Sequence, residues 1–167
     1  DYKEKYAAAG KFPGGFFKRE ARPSEYEILI SRLVDRALRP LFPADFHAET
    51  QMLIQLISVE EDVSPDALAA LAASSALMVS NIPFNGPISE VRVARIDGEF
   101  VVNPTFEQRE ESDLDLVYVG DKENVIMIEG GADQIPEEEF VKALRFAQEN
   151  VQILVAAQEE LKAKAGK

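Results

Sequence analysis

The sequence predicts an α+β fold, an antiparallel sheet packed with helices. Two observations carry this expectation. Residues 91–96 (VRVARI) and 99–103 (EFVVN) flank Asp97-Gly98, and residues 114–119 (LDLVYV) and 124–129 (NVIMIE) flank a turn around Gly120-Asp121. Asp-Gly between alternating apolar runs is a strong hairpin signal, because both central residues of the tight turn need positive φ. Helical patterns stand before and after these hairpins and do not alternate with single strands, which favours α+β over α/β.

The elements follow in order. Residues 1–9 have weak helical character without an apolar period. Residues 10–23 (GKFPGGFFKREARP) hold three Gly and two Pro and read as a loop. Ser24 followed by Glu27 forms a capping-box signature. Helix 25–39 comes next, with Ile28, Leu29, Leu33 and Val34 near helical spacing, and Pro40 and Pro43 end it. Residues 52–59 (MLIQLISV) read as a buried strand. Ser64 reads as the N-cap of the next helix, with Pro65 at its first position and Asp66 in its first turn. That helix runs to about Val79, and its uncharged, Ala- and Ser-rich body implies burial on most sides. Pro136 opens the last helix, where Glu137, Glu138 and Glu139 suit the positive N-terminus. Its apolar stripe is Phe140, Leu144, Ala147, Val151 and Leu154, and it is expected to fray from about Glu159.

Composition excludes several classes. With 46% hydrophobic residues, the chain is not disordered, and no apolar run reaches the roughly 18 residues of a membrane span. The absence of Cys excludes a disulfide scaffold or a cysteine-ligated metal domain. Residues 1–11 are charged and lack the apolar centre of a signal peptide, so a cytoplasmic location is the default expectation. The length of 167 residues suits one domain.

A net charge of −12 argues at first against nucleic acid, but the charge is segregated. Residues 1–39 carry nine Lys and Arg against six acids, a local +3. The remainder is −15, and no Lys or Arg occurs from Pro40 to Val91. Screening cuts off distant charge within about 8–10 Å, so a local basic patch can still bind polyanions.

Motifs are few. His47 is the single histidine, and with no Cys a zinc site has too few ligands; a loop histidine is the plainer reading. Asp113 and Asp115 could pair on Mg²⁺, but alternation with Leu114 and Leu116 reads first as the wet face of a half-buried strand. Glu60, Glu61 and Asp62 read as a solvated strand end. No P-loop, GxGxxG or GxSxG occurs.

The segment Gly14-Gly15-Phe16-Phe17-Lys18-Arg19 is different. Aromatic faces stack on unpaired bases at about 1–3 kcal/mol per base while Lys and Arg take phosphates. Burial of the two rings to anchor the loop is an equally open reading. Arg32, Arg36 and Arg39 share one face of the following helix. They form either a phosphate-facing stripe or, with Asp35 four residues before Arg39 and Glu25 on the same face, an acid-laced structural face.

Residues 10–43 (GKFPGGFFKREARPSEYEILISRLVDRALRPLFP) closely resemble the polynucleotide phosphorylase family. The resemblance continues through 64–88 (SPDALAALAASSALMVSNIPFNGPI), RIDGEFVVNP, SDLDLVYVG and the final helix, so it spans essentially the whole chain. It implies the first of the two RNase PH-like domains of a 3′→5′ exoribonuclease that uses phosphate to release nucleoside diphosphates and also runs in reverse as a polymerase. It further implies a ring-shaped homotrimer threading single-stranded RNA through a pore, with RNA-degradation assembly proteins as partners and no membrane. On this resemblance the RNA-binding residues are Phe16, Phe17, Lys18, Arg19, Arg22, Arg32, Arg36 and Arg39.

The resemblance also implies what is missing. Catalytic RNase PH-like domains carry an aspartate pair after the hairpin and a phosphate-holding Arg at the second helix. Residues 101–105 lack the pair, and residues 40–91 lack any Arg. The expectation is a copy without catalytic or metal residues and without a cofactor of its own. Mg²⁺ or Mn²⁺ and inorganic phosphate belong to the second RNase PH-like domain. The chain therefore reads as an inactive fragment, with residues 1–135 a partial first domain and 136–167 its C-terminal helix leading to an inter-domain helical region. Further strands are expected before Asp1, and their loss is expected to leave a sheet edge or apolar face uncovered.

Overall fold

The structure, a computed structural model, describes residues 1–12, 14 and 22–167. Strand β1 (Tyr2–Glu4) lies parallel to β2 (Ile54–Leu56), with Tyr2 opposite Ile54. Helices α1 (Glu25–Leu38) and α2 (Asp66–Val79) precede β3 (Ser89–Ile96) and β4 (Glu99–Val102). A short α3 (Phe106–Glu110) leads to β5 (Leu114–Gly120) and β6 (Val125–Ala132), and α4 (Glu137–Ala165) closes the order. The last four strands form one antiparallel sheet in the order β4-β3-β5-β6, as the two hairpin signals predict. Asp97 and Gly98 both take positive φ, 50° and 84°, the geometry that the β3–β4 turn demands.

Both sheet faces are covered. Val91 and Val93 of β3 and Leu114, Leu116 and Tyr118 of β5 pack against Ala143, Ala147, Val151 and Val155 of α4. The opposite face sets Val117 and Val119 against Ile30, Leu33 and Ala37 of α1 and Ala70, Ala73 and Leu77 of α2. Asp115 therefore does not lie on a wet face: period-2 alternation places it under the helices, where arginines meet it.

Several local expectations change. Residues 1–9 are not helical throughout but form β1 and a 3-10 turn at Tyr6–Ala9. The strand over 52–59 shrinks to Ile54–Leu56, and Leu53 and Ile57 are 75% and 85% exposed, so the run is half-buried at best. Ser64 does not cap α2: its hydroxyl meets the Tyr26 hydroxyl at 3.0 Å, and Pro65 holds the N-cap position without a side-chain cap. The final helix does not fray at Glu159 but continues to Ala165. Gln158, 2% exposed, donates to the Ile88 carbonyl at 2.9 Å, and Lys164 pairs with Glu160 in the last turn. The short α3 had no strong apolar period; it forms on a capping box between Thr105 and Gln108.

The β5–β6 pairing depends on a glycine. A Cβ at Gly130 would stand 2.2 Å from the Asp115 carbonyl oxygen and 2.9 Å from the Leu116 Cα. These are backbone atoms of the central strand and cannot swing aside. Gly130→Ala is expected to destabilise the fold by about 1–3 kcal/mol, read from the urea midpoint. Gly131→Ala, whose Cβ meets nothing within 4 Å, is the control and is expected to stay within about 0.5 kcal/mol. Equal effects of the two would show that close approach at Gly130 does not matter.

Candidate nucleic-acid interface

Helix α1 begins with the capping box that its sequence predicts. The Ser24 hydroxyl accepts the Glu27 amide at 3.1 Å, and the Glu27 carboxylate accepts the Ser24 amide at 2.6 Å. The helix buries Ile30, Leu33, Val34, Ala37 and Leu38 and turns Arg32, Asp35, Arg36 and Arg39 outward. Its N-terminal turn also contacts β1. Tyr2 donates its amide to Ser31 Oγ at 3.0 Å, and Glu4 donates its amide to Glu27 Oε1 at 2.7 Å.

The predicted basic residues divide into two groups. Arg39 makes a two-pronged contact with Asp35, at 3.1 and 2.6 Å, and Arg36 pairs with Glu129 of β6. Those two arginines take the acid-laced arrangement. Arg22 and Arg32 are exposed and make no ion pair or hydrogen bond among the described residues. Phe16, Phe17, Lys18 and Arg19 lie outside the described residues. Below the C-terminal half of α1, a cleft of about 630 Å³ opens between the helix and residues 42–54. Arg39 and Asp35 sit at its side, and the rings of Phe42 and Phe46 stack in its wall at 5.9 Å. His47 is exposed in the same segment, and Glu60, Glu61 and Asp62 are exposed as expected.

A second cluster lies between α2 and the sheet and was not foreseen. Arg92 sends Nε and one terminal nitrogen to Asp66 Oδ2, at 3.0 and 2.5 Å, and the other to Asp115 Oδ1 at 2.6 Å. Arg109 closes the network on Asp115 Oδ2 at 3.1 and 2.9 Å. Arg92 and Asp66 side chains are only 11% and 3% exposed. The signal that the sequence carries is Arg92 between Val91 and Val93, a charge that burial would force to find a partner. Beside it, Glu90 is 1% exposed and its Oε2 has no hydrogen-bond partner. Burial first, then the charge of Asp66, pushes its carboxyl up to about 8.

Residues 1–83 match the model of the 3′ exoribonuclease family, domain 1, and residues 86–150 match that of domain 2 of the same family. The chain belongs to the 3′ exoribonuclease family. It is 56% identical over all 167 residues to a polyribonucleotide nucleotidyltransferase of Methylacidiphilum infernorum and 57% identical to one of Bacteroides fragilis. A Porphyromonas gingivalis protein of the same name is 55% identical, again over the full chain. The chain spans about a quarter of the length of these relatives, 24%, 24% and 22% respectively. Its α+β architecture is the RNase PH-like fold of that exoribonuclease family. Among the described residues no helix is long and apolar enough to cross a membrane.

A divalent cation does not fit the Asp113–Asp115 pair, the carboxylates that the sequence offers for one. Both oxygens of Asp115 accept guanidinium groups, and Asp113 gives Oδ2 to Arg95 at 3.1 Å. A hard cation needs several free oxygens converging on it, and the two arginines place positive charge where it would sit. Among the described residues, no group of three or more His, Asp or Glu converges as a ligand set.

Proposed function

We propose that the chain is the non-catalytic, RNA-guiding RNase PH-like part of a phosphorolytic 3′→5′ exoribonuclease and polyribonucleotide nucleotidyltransferase. The 56% identity over all 167 residues to part of a protein of that name carries the proposal. In this reading the basic segment before and along α1 meets single-stranded RNA. Phe16 and Phe17 stack on bases, and Lys18, Arg19, Arg22 and Arg32 take phosphates. The rest of the domain supports a homotrimeric ring in the cytoplasm, alongside RNA-degradation assembly proteins. Residues 136–167 lead on to an inter-domain helical region. Phosphorolysis, with Mg²⁺ or Mn²⁺ and inorganic phosphate, falls to a second RNase PH-like domain. The exposure of Arg22 and Arg32 without acidic partners among the described residues supports the RNA role. The occupied state of Asp115 supports the lack of metal chemistry here.

A bracing role for the arginines is the second reading, and it is favoured at two positions. Arg36 and Arg39 already hold Glu129 and Asp35, so they fit structural or subunit contacts better than RNA contacts. The purified chain is expected to release no nucleoside diphosphate from single-stranded RNA in the presence of phosphate and Mg²⁺. Release at a rate that scales with phosphate would refute the non-catalytic assignment. In the natural full-length protein, Phe16→Ala with Phe17→Ala is expected to weaken single-strand binding by tenfold or more, from about 1–3 kcal/mol per stacked base. Unchanged affinity would refute the stacking role of the two rings.

A further inference from the structure

We propose that Glu27 is a positioning residue for nucleic-acid binding: its carboxylate ties the end of β1 to the N-cap of α1 and so holds the two ends of the basic segment, at Lys5 and at Arg22, in place relative to each other and to Arg32. This rests on the reading that the basic segment meets single-stranded RNA. Glu27 Oε1 accepts the Glu4 amide at 2.7 Å while Oε2 accepts the Ser24 amide at 2.6 Å. One carboxylate thus spans the limb leaving β1 and the limb entering α1, with residues 5–23 between them. A capping box needs only the Ser24 contact. The Glu4 contact is extra to the helix and has another consequence.

The geometry of the pair is built in. Glu27 and Ser31 are one helical turn apart, about 6 Å along the axis, and Tyr2 and Glu4 are two strand residues apart, about 6.6 Å. The two α1 side chains therefore meet successive outward amides of β1. Ser31 holds the start of the strand, and Glu27 holds its end, where the chain departs toward the basic segment. The departing limb is pinned further by the Val59 amide on the Ala8 carbonyl at 3.1 Å and by Lys11 on Glu61. The returning limb ends at Ser24, two residues after Arg22. Burial pushes the Glu27 carboxyl up, but the amides of Ser24 and Glu4, the Ser24 hydroxyl and the charge of Lys3 outweigh it and leave it below its ordinary value. Both oxygens therefore stay available as acceptors near neutral pH. Arg22 and Arg32 carry like charge without acidic partners among the described residues, so the backbone must hold their spacing. Groups held in the binding geometry lose less freedom when they meet a ligand.

Glu27→Gln separates the two roles, because Ser-x-x-Gln is still a capping box but offers one acceptor oxygen in place of two. In the natural full-length protein, the variant is expected to bind a fluorescent single-stranded oligoadenylate about five- to tenfold more weakly at low salt. Its helical circular dichroism should be unchanged, and the Glu4 amide should exchange at least tenfold faster. The salt dependence of binding should become shallower by about one phosphate contact, a change that partial unfolding would not produce. Glu4→Pro deletes the amide itself on the side of β1 away from β2 and should reproduce these effects with the capping box intact, and Glu4→Gln, which keeps the amide and leaves an acceptor for the Tyr2 hydroxyl, should not. Ser24→Ala, which weakens the cap but leaves both carboxylate bonds, should lower the melting temperature and change affinity less than twofold. Unchanged affinity and salt slope in Glu27→Gln and Glu4→Pro, while Phe16→Ala with Phe17→Ala weakens binding, would overturn the proposal alone. Unchanged affinity in the phenylalanine pair and in Arg22→Ala with Arg32→Ala would remove the RNA reading and the proposal with it.

Discussion

Arg92→Met is expected to destabilise the fold by about 3–5 kcal/mol at neutral pH, because it strands a buried charge. Asp66 is 3% exposed, and its Oδ2 receives two of the Arg92 nitrogens. Among the described residues its Oδ1 keeps only the Ala67 amide, at 2.9 Å. Asp115 fares better when Arg92 is gone, since it is 30% exposed and retains Arg109. The loss therefore concentrates on Asp66 at the start of α2. Combining Arg92→Met with Asp66→Asn removes the stranded charge and is expected to recover part of the loss. Chemical denaturation of the two single variants and the double variant measures this coupling. A cost below about 1 kcal/mol for Arg92→Met would show that water reaches Asp66 and that the network is not a buried one.

Glu90→Gln is expected to flatten the dependence of stability on pH between about 4.5 and 8. In the folded chain the Glu90 carboxyl is raised to about 8 by burial first and by the charges of Asp66 and Glu129, against Arg92. In the unfolded chain it titrates near its ordinary value, about 4.3–4.5. Below the unfolded value both states carry the proton, and stability is unaffected by this group. As pH rises past it, the unfolded chain releases the proton while the folded chain keeps it. Stability is lost progressively up to the folded value, by roughly 3–5 kcal/mol in total. Glutamine cannot ionise, so the variant should lose this slope. Its absolute stability at low pH can fall, because the added amide nitrogen enters a place where Oε2 already lacks a partner. The diagnostic is therefore the slope of unfolding free energy against pH. Parallel curves for the two proteins across this window would show that Glu90 is ionised in the folded chain at neutral pH.

Much of the local structure was legible in the residues themselves. The Asp97-Gly98 turn and the Ser24–Glu27 box depend on groups within three residues of each other, and both form as the pattern predicts. The pairing of Asp35 with Arg39 was visible at helical spacing. The strand within 52–59 is shorter than its apolar run predicts, because a continuous apolar run does not reveal which neighbours will cover it. Only three residues pair, and Leu53 and Ile57 stay exposed. Ser64 does not cap α2 as its local pattern predicts, and its hydroxyl meets that of Tyr26, far away in sequence.

The candidate interface divides along the same line. The sequence by itself determined that positive charge is gathered in residues 1–39 and that Arg32 and Arg36 share one helix face, since composition and helical period need no partner. Tertiary structure decided which of those arginines remain without an acidic partner among the described residues. Arg36 meets Glu129 across 93 residues of chain, and no local rule announces that pairing. It likewise decided that Asp115 faces Arg92 and Arg109, and that Glu27 serves β1 as well as its own helix. The physical reason is range. Turns and caps are closed by hydrogen bonds between near neighbours, whereas a buried charge is stabilised only by whatever the folded chain brings against it.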